Sequence, residues 1–224
     1  MGTKACAAWL AGLLCCATAA AADGPVETFV FVGERISIEK APDPCEETFR
    51  DTGERTCIGL DSLYKARYRV LQRIIAGPHA GDDIEFMVAD HYGFPAFARF
   101  RNALLFVALA ADGPWLHKYQ AIPLHLTVDG RWASCGDIGG QPNEKPSPHL
   151  KTLRFRREIA EKADLSEYML ESYRAGNRPE WRIERGKVWC TQGILIEDAY
   201  GIVRNGVMQA RKVPLPDWPG PAKP

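Results

Sequence analysis

The sequence has no excess of charge of either sign, because 28 Lys and Arg residues balance 28 Asp and Glu residues, for a formal net charge of +0. A neutral protein has no long-range field that would favour nucleic acid or an anionic membrane. We therefore expect neither of them as a partner.

A long hydrophobic run is also missing, because the apolar stretch 5–17 is shorter than the roughly 20 residues that span a bilayer. This stretch follows Lys4 and precedes small residues that end at Ala22, a pattern typical of a secretory signal peptide. We predict that residues 1–22 are cleaved near Ala22 and that the protein is secreted or periplasmic. The mature chain is then expected to have no transmembrane anchor.

Motifs of catalytic and cofactor sites are absent as well. No serine lies in a G-x-S-x-G sequence, the nucleophile elbow of many hydrolases. The run GDIGG at 136–140 does not join a strand to a helix as a phosphate-binding loop does. The sequence therefore predicts no cofactor and no catalytic residue, and it favours a protein that is not an enzyme.

Cysteine is scarce once the predicted signal peptide is set aside, since only Cys45, Cys57, Cys135 and Cys190 remain. An even number in an oxidising compartment predicts two disulfides, for which three connectivities are possible. The polar segment between Cys45 and Cys57 favours a local bond there, which leaves Cys135 to pair with Cys190. A four-ligand metal site is the alternative, but the paired C-x2-C spacing of such sites is absent.

Alternation of apolar and polar residues predicts a long β-hairpin over Tyr64–Tyr92. Its first arm alternates arginines with Ala66, Tyr68 and Val70, and its second arm is acidic on the polar face. A first strand is predicted over 28–39, with both faces apolar in its first half and a bend at Gly33.

Up to residue 135 the remaining predicted elements are a loop over 40–61, a short helix over 96–102, strands over 103–110 and 115–122, and a hairpin over 124–135 that turns at Asp129–Gly130. After it, helices are predicted over 150–163 and 165–175, the second capped by Asp164. The segment 181–197 forms two short strands, or 194–204 forms a helix instead, and a weak strand over 207–213 follows. The corresponding domain division is a signal peptide (1–22), a β-barrel domain (23–135), a linker (136–149), an α+β extension packed on the barrel (150–213) and a disordered Pro-rich tail (214–224).

The order strand, strand, strand, short helix, strand, strand over residues 28–128 is that of an OB barrel. With the segments FVFVGERISI, YKARYRVLQRIIAG and GDDIEFMVADH and two nearby cysteines, this half of the chain resembles the netrin-type module. That secreted OB-fold family includes the tissue inhibitors of metalloproteinases. The resemblance implies an OB-like five-stranded barrel with a short helix. The helical C-terminal extension predicted from the residues after 150 has no counterpart in that family, and together the two parts predict an α+β, mainly β fold.

Those inhibitors bind the zinc of a protease through a mature N-terminal cysteine. Here the predicted mature start is Asp23, and no cysteine lies between it and Cys45. The inhibitory mechanism is therefore not expected, whatever the fold.

Asp90 and His91, at the end of a predicted strand, form the first candidate site, because a carboxylate can orient a histidine for base catalysis or metal binding. Adjacent strand residues point to opposite faces, so a strand-end cap is the alternative. His117 and His125 lie on neighbouring predicted strands, and together with His91 they make a candidate three-histidine metal or ligand site. Isolated surface histidines are the alternative.

Arg154, Arg156 and Arg157 fall within one turn of the predicted helix over 150–163. They indicate either an anion-binding patch or, with Glu158 and Glu161 close by, an ion-paired helix face.

The aromatic residues Trp115, Tyr119 and Trp132 suit either a nucleic-acid stacking platform or sheet packing. Sheet packing is expected in a neutral exported protein.

Export, disulfide-bonded loops, many strands and the lack of a catalytic set of residues predict a non-enzymatic binding module that contacts a protein or peptide partner. The alternative is a metal-binding protein or hydrolytic enzyme that uses Asp90 and His91 with His117 or His125.

Overall fold

A computed structural model describes residues 27–42, 44–53, 59–77, 81–138 and 145–220. The predicted signal peptide and Cys57 lie outside the described residues.

The fold is α+β and mainly β. Its strands are β1 (Glu27–Lys40), β2 (Ser62–Ile75), β3 (Asp83–Asp90), β4 (Asn102–Ala110), β5 (Gly113–Leu126), β6 (Trp132–Ala133), β7 (Lys151–Thr152), β8 (Ala160–Glu161), β9 (Trp181–Glu184), β10 (Lys187–Cys190) and β11 (Gln192–Gly193). Its helices are α1 (Pro44–Thr52), α2 (Glu167–Arg174) and α3 (Ile196–Val203), with 3₁₀ turns at Ala96–Arg99 and Lys162–Asp164 and a π-helical turn at Arg204–Met208.

Six strands form one sheet in the order β3-β2-β1-β4-β5-β6, with antiparallel neighbours throughout. One parallel bridge, between Met87 and Trp115, also joins β3 to β5. Over the described residues the sheet is not closed into a clear barrel, so the five-stranded OB barrel is not confirmed. Two small sheets, β8-β10-β9 and β11-β7, follow in the C-terminal half.

Strand β1 lies at the centre of the large sheet and is buried on both faces in its first half, as predicted. Phe29, Val30, Phe31 and Val32 are all 0 % exposed. Because successive side chains of a strand point to opposite faces, the two phenylalanines belong to one apolar cluster and the two valines to another.

The two clusters have different origins in the chain. The phenylalanine side is completed by the predicted hairpin, whose Tyr68 and Phe86 rings lie 5.6 Å apart. The valine side is covered by α3, where the ring of Tyr200 stacks on that of Phe106 at 6.0 Å. The C-terminal half therefore supplies one of the two layers that bury β1.

The sheet-forming half of the sequence prediction is largely confirmed. The hairpin pairs in register, with Ala66 opposite Phe86 and Tyr68 opposite Ile84. The short helix is present as the 3₁₀ turn Ala96–Arg99, and the turn at Asp129–Gly130 is closed by a hydrogen bond from Thr127 N to Arg131 O. The predicted loop over 40–61 is wrong in part, since α1 occupies Pro44–Thr52.

The predicted helix over 150–163 is wrong. Arg156 N donates to Leu126 O and Ile159 N donates to Val188 O. The backbone of this segment therefore forms hydrogen bonds with other segments of the chain instead of the internal hydrogen bonds of a helix. Phe155 and Ile159 are buried in a third apolar cluster with Trp181. The prediction rested on Leu150, Leu153, Ile159 and Ala163, whose spacing resembles one face of a helix.

The second predicted helix is confirmed as α2, but its N-cap is not Asp164. The hydroxyl of Ser166 accepts a hydrogen bond from Met169 N and caps the helix instead. Both outcomes predicted for the segment near 181–204 occur, because β9 and β10 precede α3.

The predicted strand over 207–213 is also wrong, because a π-helical turn continues α3 through Met208.

The prediction of a disordered tail fails over 214–220. The Tyr200 hydroxyl donates to Pro216 O at 2.7 Å, Arg204 Nε donates to Leu215 O at 2.9 Å, and the Trp218 ring lies 5.4 Å from that of Tyr200.

The predicted Cys135–Cys190 disulfide is present, with a Cα–Cα distance of 5.8 Å across a sequence separation of 55. Cys45 is disulfide-bonded, and its predicted partner Cys57 lies outside the described residues.

We expect replacement of Gly33 by alanine to lower the free energy of unfolding by about 1–3 kcal/mol, the usual effect of overpacking. A Cβ there would meet Phe31 Cε2 and Tyr68 Cδ1 at 2.9 Å and Leu105 Cδ1 at 3.1 Å. Urea denaturation measures the change. Gly201→Ala in α3 is the matched control, since a Cβ there meets nothing within 4 Å. Equal denaturation midpoints for the two variants would contradict the close approach at Gly33.

Replacing both Cys135 and Cys190 by serine should lower the free energy of unfolding by about 4 kcal/mol, because the bond closes a long loop in the unfolded chain. Thermal and urea unfolding of oxidised samples measure the loss. Peptide mapping without reduction checks the pairing, and a Cys45–Cys135 or Cys45–Cys190 peptide would disprove it.

Candidate functional site

The ladder between β4 and β5 is interrupted where the candidate residue His117 lies. Val107 pairs with Leu116 and Leu105 pairs with Ala121, so two steps on β4 face five on β5. The extra residues bulge out of the ladder, and Tyr119 takes a positive φ of 65°, which is unusual for a bulky side chain. The bulge thus presents residues 117–120 away from regular strand pairing.

His117, on this bulge, is tied to the first strand. Its Nε2 lies 3.0 Å from the hydroxyl of Thr28. Burial, and then the positive charge of Arg211, lower the pKa of His117 below its usual value. Both effects favour the neutral imidazole, and the contact with Thr28 holds the ring against the sheet.

His91 is paired with a carboxylate, but with Asp61 instead of Asp90. Its Nδ1 lies 3.6 Å from Asp61 Oδ1 and 2.7 Å from Leu60 O. Asp61 Oδ2 also accepts a hydrogen bond from Lys118 Nζ at 2.5 Å, and this bond raises the pKa of Lys118.

Asp90 has the role of a strand-end cap, since its Oδ1 accepts a hydrogen bond from Tyr92 N at 2.8 Å. This is the alternative that the sequence left open for the Asp90–His91 pair.

His125 lies elsewhere on β5, between the rings of Phe100 at 5.7 Å and Phe155 at 6.2 Å. Burial lowers the pKa of His125 to about 4, so the imidazole is neutral at physiological pH. Its Nε2 is buried and has no hydrogen-bond partner among the described residues.

The three histidines thus have separate partners. Within the described ranges, no group of three His, Cys, Asp or Glu side chains comes together in a way that would hold a metal ion.

The structure instead gathers exposed aromatic and apolar side chains around His91. We define the aromatic patch as Leu60, Tyr92, Phe94 and Tyr119, which are 73 %, 86 %, 43 % and 45 % exposed. The Tyr92 and Tyr119 rings lie 6.0 Å apart, and the Phe94 ring packs edge-on against Tyr64 at 5.8 Å. Exposed apolar groups that cluster in this way mark interaction surfaces, whereas single ones do not.

Two cations border the patch through its rings. The Arg99 guanidinium lies 5.5 Å from the centre of the Phe94 ring, and Lys118 Nζ lies 5.3 Å from that of Tyr119. Contacts of this kind are attractive, so each cation favours the observed position of its ring.

A cleft of about 170 Å³ opens beside the patch, and we call it the β3–β5 cleft. Its walls include the buried side chains of Val88, Phe97 and Leu116, and Tyr119 belongs to both the cleft and the patch. The cleft lies where β3 and β5 separate beyond the Met87–Trp115 bridge.

Sequence reasoning selected His91 and Tyr119 but missed Leu60, Tyr92 and Phe94. The signal was present in HYGF at 91–94, because two aromatic residues directly after a strand must lie in a turn, where they are exposed. Of the other aromatics selected, Trp115 is in the β3–β5 bridge and Trp132 is in β6.

No protein-family model matches the chain, and searches of curated proteins and of solved structures found no match either. The resemblance to netrin-type modules is not tested by these comparisons and stays a prediction. No helix among the described residues is long and apolar enough to cross a membrane.

The free energy of unfolding should decrease as the pH is lowered from about 6.5 to about 4, because of His125. The unfolded chain takes up a proton near pH 6.5, whereas burial holds the pKa of folded His125 at about 4, so the unfolded state binds more protons in this window. The loss from pH 7 to pH 5 should be about 2 kcal/mol.

The measurement is the free energy of unfolding at pH 7 and at pH 5 for the wild type and for His125→Phe. The difference between the two proteins isolates this histidine, because His117 is the same in both. Parallel stability curves would show that His125 is not buried in its neutral form.

Proposed function

We propose that the protein is an exported, non-enzymatic binding module that holds a protein or peptide partner at the aromatic patch and the β3–β5 cleft. The observation that carries the proposal is the combination of exposed tyrosines with an apolar cleft beside them. Binding energy at protein interfaces is concentrated in tyrosine, tryptophan and arginine side chains and in pockets that accept a partner's anchor residue.

The size of the cleft supports a side chain as its occupant. A cleft of about 170 Å³ with Val88, Phe97 and Leu116 in its walls suits one aliphatic or aromatic residue of a partner. The two tyrosines then cover the neighbouring backbone and offer hydroxyl groups to it. Tyrosine supplies large contact area with few rotatable bonds, which limits the entropy lost on binding.

Export is part of the proposal. Cys135 and Cys190 form a disulfide, a bond that persists in oxidising compartments and is rare in the cytosol. Together with the signal-peptide pattern of residues 1–22, this supports a secreted or periplasmic protein.

We further propose that β1 to β5 form an OB-like barrel of the netrin type. Its support is the pairing of β1 with both β2 and β4, together with the bridge from β3 to β5, which follows the strand neighbours expected of such a barrel.

The test selects peptides from a random display library on the purified wild-type protein. Their dissociation constants are then measured by fluorescence polarisation for the wild type and two variants. Tyr92→Ala should weaken binding at least about tenfold, as expected for an interface anchor. Its thermal midpoint should not change, because Tyr92 is 86 % exposed.

Tyr168→Ala is the matched control, since Tyr168 in α2 is another tyrosine that is 77 % exposed but lies outside the patch. Its affinity should equal that of the wild type. Selected peptides that bind all three proteins equally well would remove the patch as the binding site.

The natural partner can be sought by photo-cross-linking. A benzoylphenylalanine at position 92 should cross-link to a defined protein in an extract of the native compartment, whereas the same group at position 168 should not. Identical cross-linking patterns from the two positions would count against a specific partner at the patch.

A further inference from the structure

A second cleft, of about 350 Å³, lies where the segment 155–159 passes the ends of β4, β5 and β6. Its lining includes Glu34, Arg101, His125, Trp132, Arg156 and Arg157, and we call it the arginine cleft. None of the residues that line the β3–β5 cleft lines this one. An inference about it therefore does not rest on the proposed function.

The backbone holds the arginine segment in place. Arg156 N donates to Leu126 O at 2.9 Å, Val128 N donates to Arg154 O at 2.8 Å, and Thr127 and Phe155 form an antiparallel bridge. Phe155 is buried against His125. Arg156 and Arg157 therefore project from a fixed, extended segment and not from a free loop.

The carboxylates of the arginine cleft already have cationic partners. Glu34 Oε1 accepts from Arg101 Nε at 2.7 Å, and Glu158 Oε1 accepts from Lys187 Nζ at 2.8 Å, a bond that lowers the pKa of Glu158. Lys187 itself lies outside the lining.

Among the described residues, the remaining two arginines lack a salt-bridge partner, although the charge of Arg157 contributes to the lowered pKa of Glu158. Arg156 Nε donates to a backbone oxygen, Thr127 O, at 3.0 Å. Asp129 is near enough for the charge of Arg156 to contribute to its lowered pKa, but among the described residues neither Arg156 nor Arg157 forms a salt bridge. The lining has three arginines and two glutamates, so the cleft carries an excess of one positive charge, and Arg156 and Arg157 are the arginines outside salt bridges.

The walls determine what kind of anion fits. Trp132, Leu126 and Ile159 supply apolar surface beside the two guanidinium groups. His125 also lines the cleft, and its buried Nε2 has no hydrogen-bond partner among the described residues, which is unusual for a buried polar atom. A guanidinium fork matches the geometry of a carboxylate or phosphate, and an apolar wall adds affinity only for a ligand with an apolar body.

We propose that the arginine cleft binds a small organic anion, with a carboxylate or phosphate group on Arg156 and Arg157 and an apolar body against Trp132. Inorganic anions lack the apolar body, and neutral aromatic compounds lack the charge. Each of them should therefore bind more weakly than a molecule that combines the two features.

The test uses isothermal titration of the purified protein with 1-naphthyl phosphate, 1-naphthoate, inorganic phosphate and 1-naphthalenemethanol. At least one of the two naphthyl anions should bind at least tenfold more tightly than either the inorganic or the neutral probe. Tighter binding of the naphthoate would assign the natural ligand to the carboxylates, and tighter binding of the naphthyl phosphate would assign it to the phosphates. Equal affinity for all four probes would overturn the proposal.

Two variants of neighbouring arginines locate the site. Arg157→Gln should weaken binding of the naphthyl anion at least tenfold, whereas Arg154→Gln should leave it unchanged, because Arg154 is exposed in the same segment but does not line the cleft. Arg157→Lys keeps the charge and should restore part of the affinity. All of these side chains are exposed, so the variants should fold as the wild type does. Equal losses in Arg154→Gln and Arg157→Gln would reduce the effect to general surface charge and overturn the assignment.

Discussion

The structure depends on a stretch of β1 that has no solvent-exposed face. Phe29, Val30, Phe31 and Val32 are fully buried, so the chain must supply an apolar layer on each side of the strand. The hairpin of β2 and β3 supplies one layer, and α3 supplies the other. Gly33 belongs to the same constraint, because the side chains of Phe31, Tyr68 and Leu105 occupy the space that a larger residue would need. The N-terminal and C-terminal halves thus pack on the two faces of one strand.

Both candidate sites lie where regular strand pairing of the large sheet is interrupted or ends. Beyond the Met87–Trp115 bridge, the bulge in β5 moves residues 117–120 out of the ladder, and the β3–β5 cleft and Tyr119 are found there. The arginine cleft lies where the 155–159 segment adds to the end of the sheet by a few backbone hydrogen bonds. Interrupted strand pairing leaves side chains and space available for binding, whereas regular pairing uses both for the fold itself.

The polar contacts of the candidate residues show why local sequence was a poor guide to the sites. Asp90 is next to His91 in the chain, yet the carboxylate that reaches the histidine belongs to Asp61, which the sheet brings close through the pairing of Ser62 with Asp90. The predictions of a helix over 150–163 and of disorder over 214–220 failed for a related reason. Phe155 is buried and Trp218 is half-buried against residues distant in the chain, and those contacts outweigh local propensity and composition.

Local sequence alone determined the hairpin, the fully buried strand β1 and the turn at Asp129–Gly130, because each follows from side-chain periodicity or turn chemistry. The cysteine count predicted two disulfides, and the fold selected Cys135–Cys190 from the possible pairings. The tertiary structure alone decided which carboxylate reaches His91, which exposed rings lie together and where the clefts open. Those properties are set by the register between distant strands and by the bulge in β5, and no short stretch of sequence encodes the distance between two segments that meet only after folding.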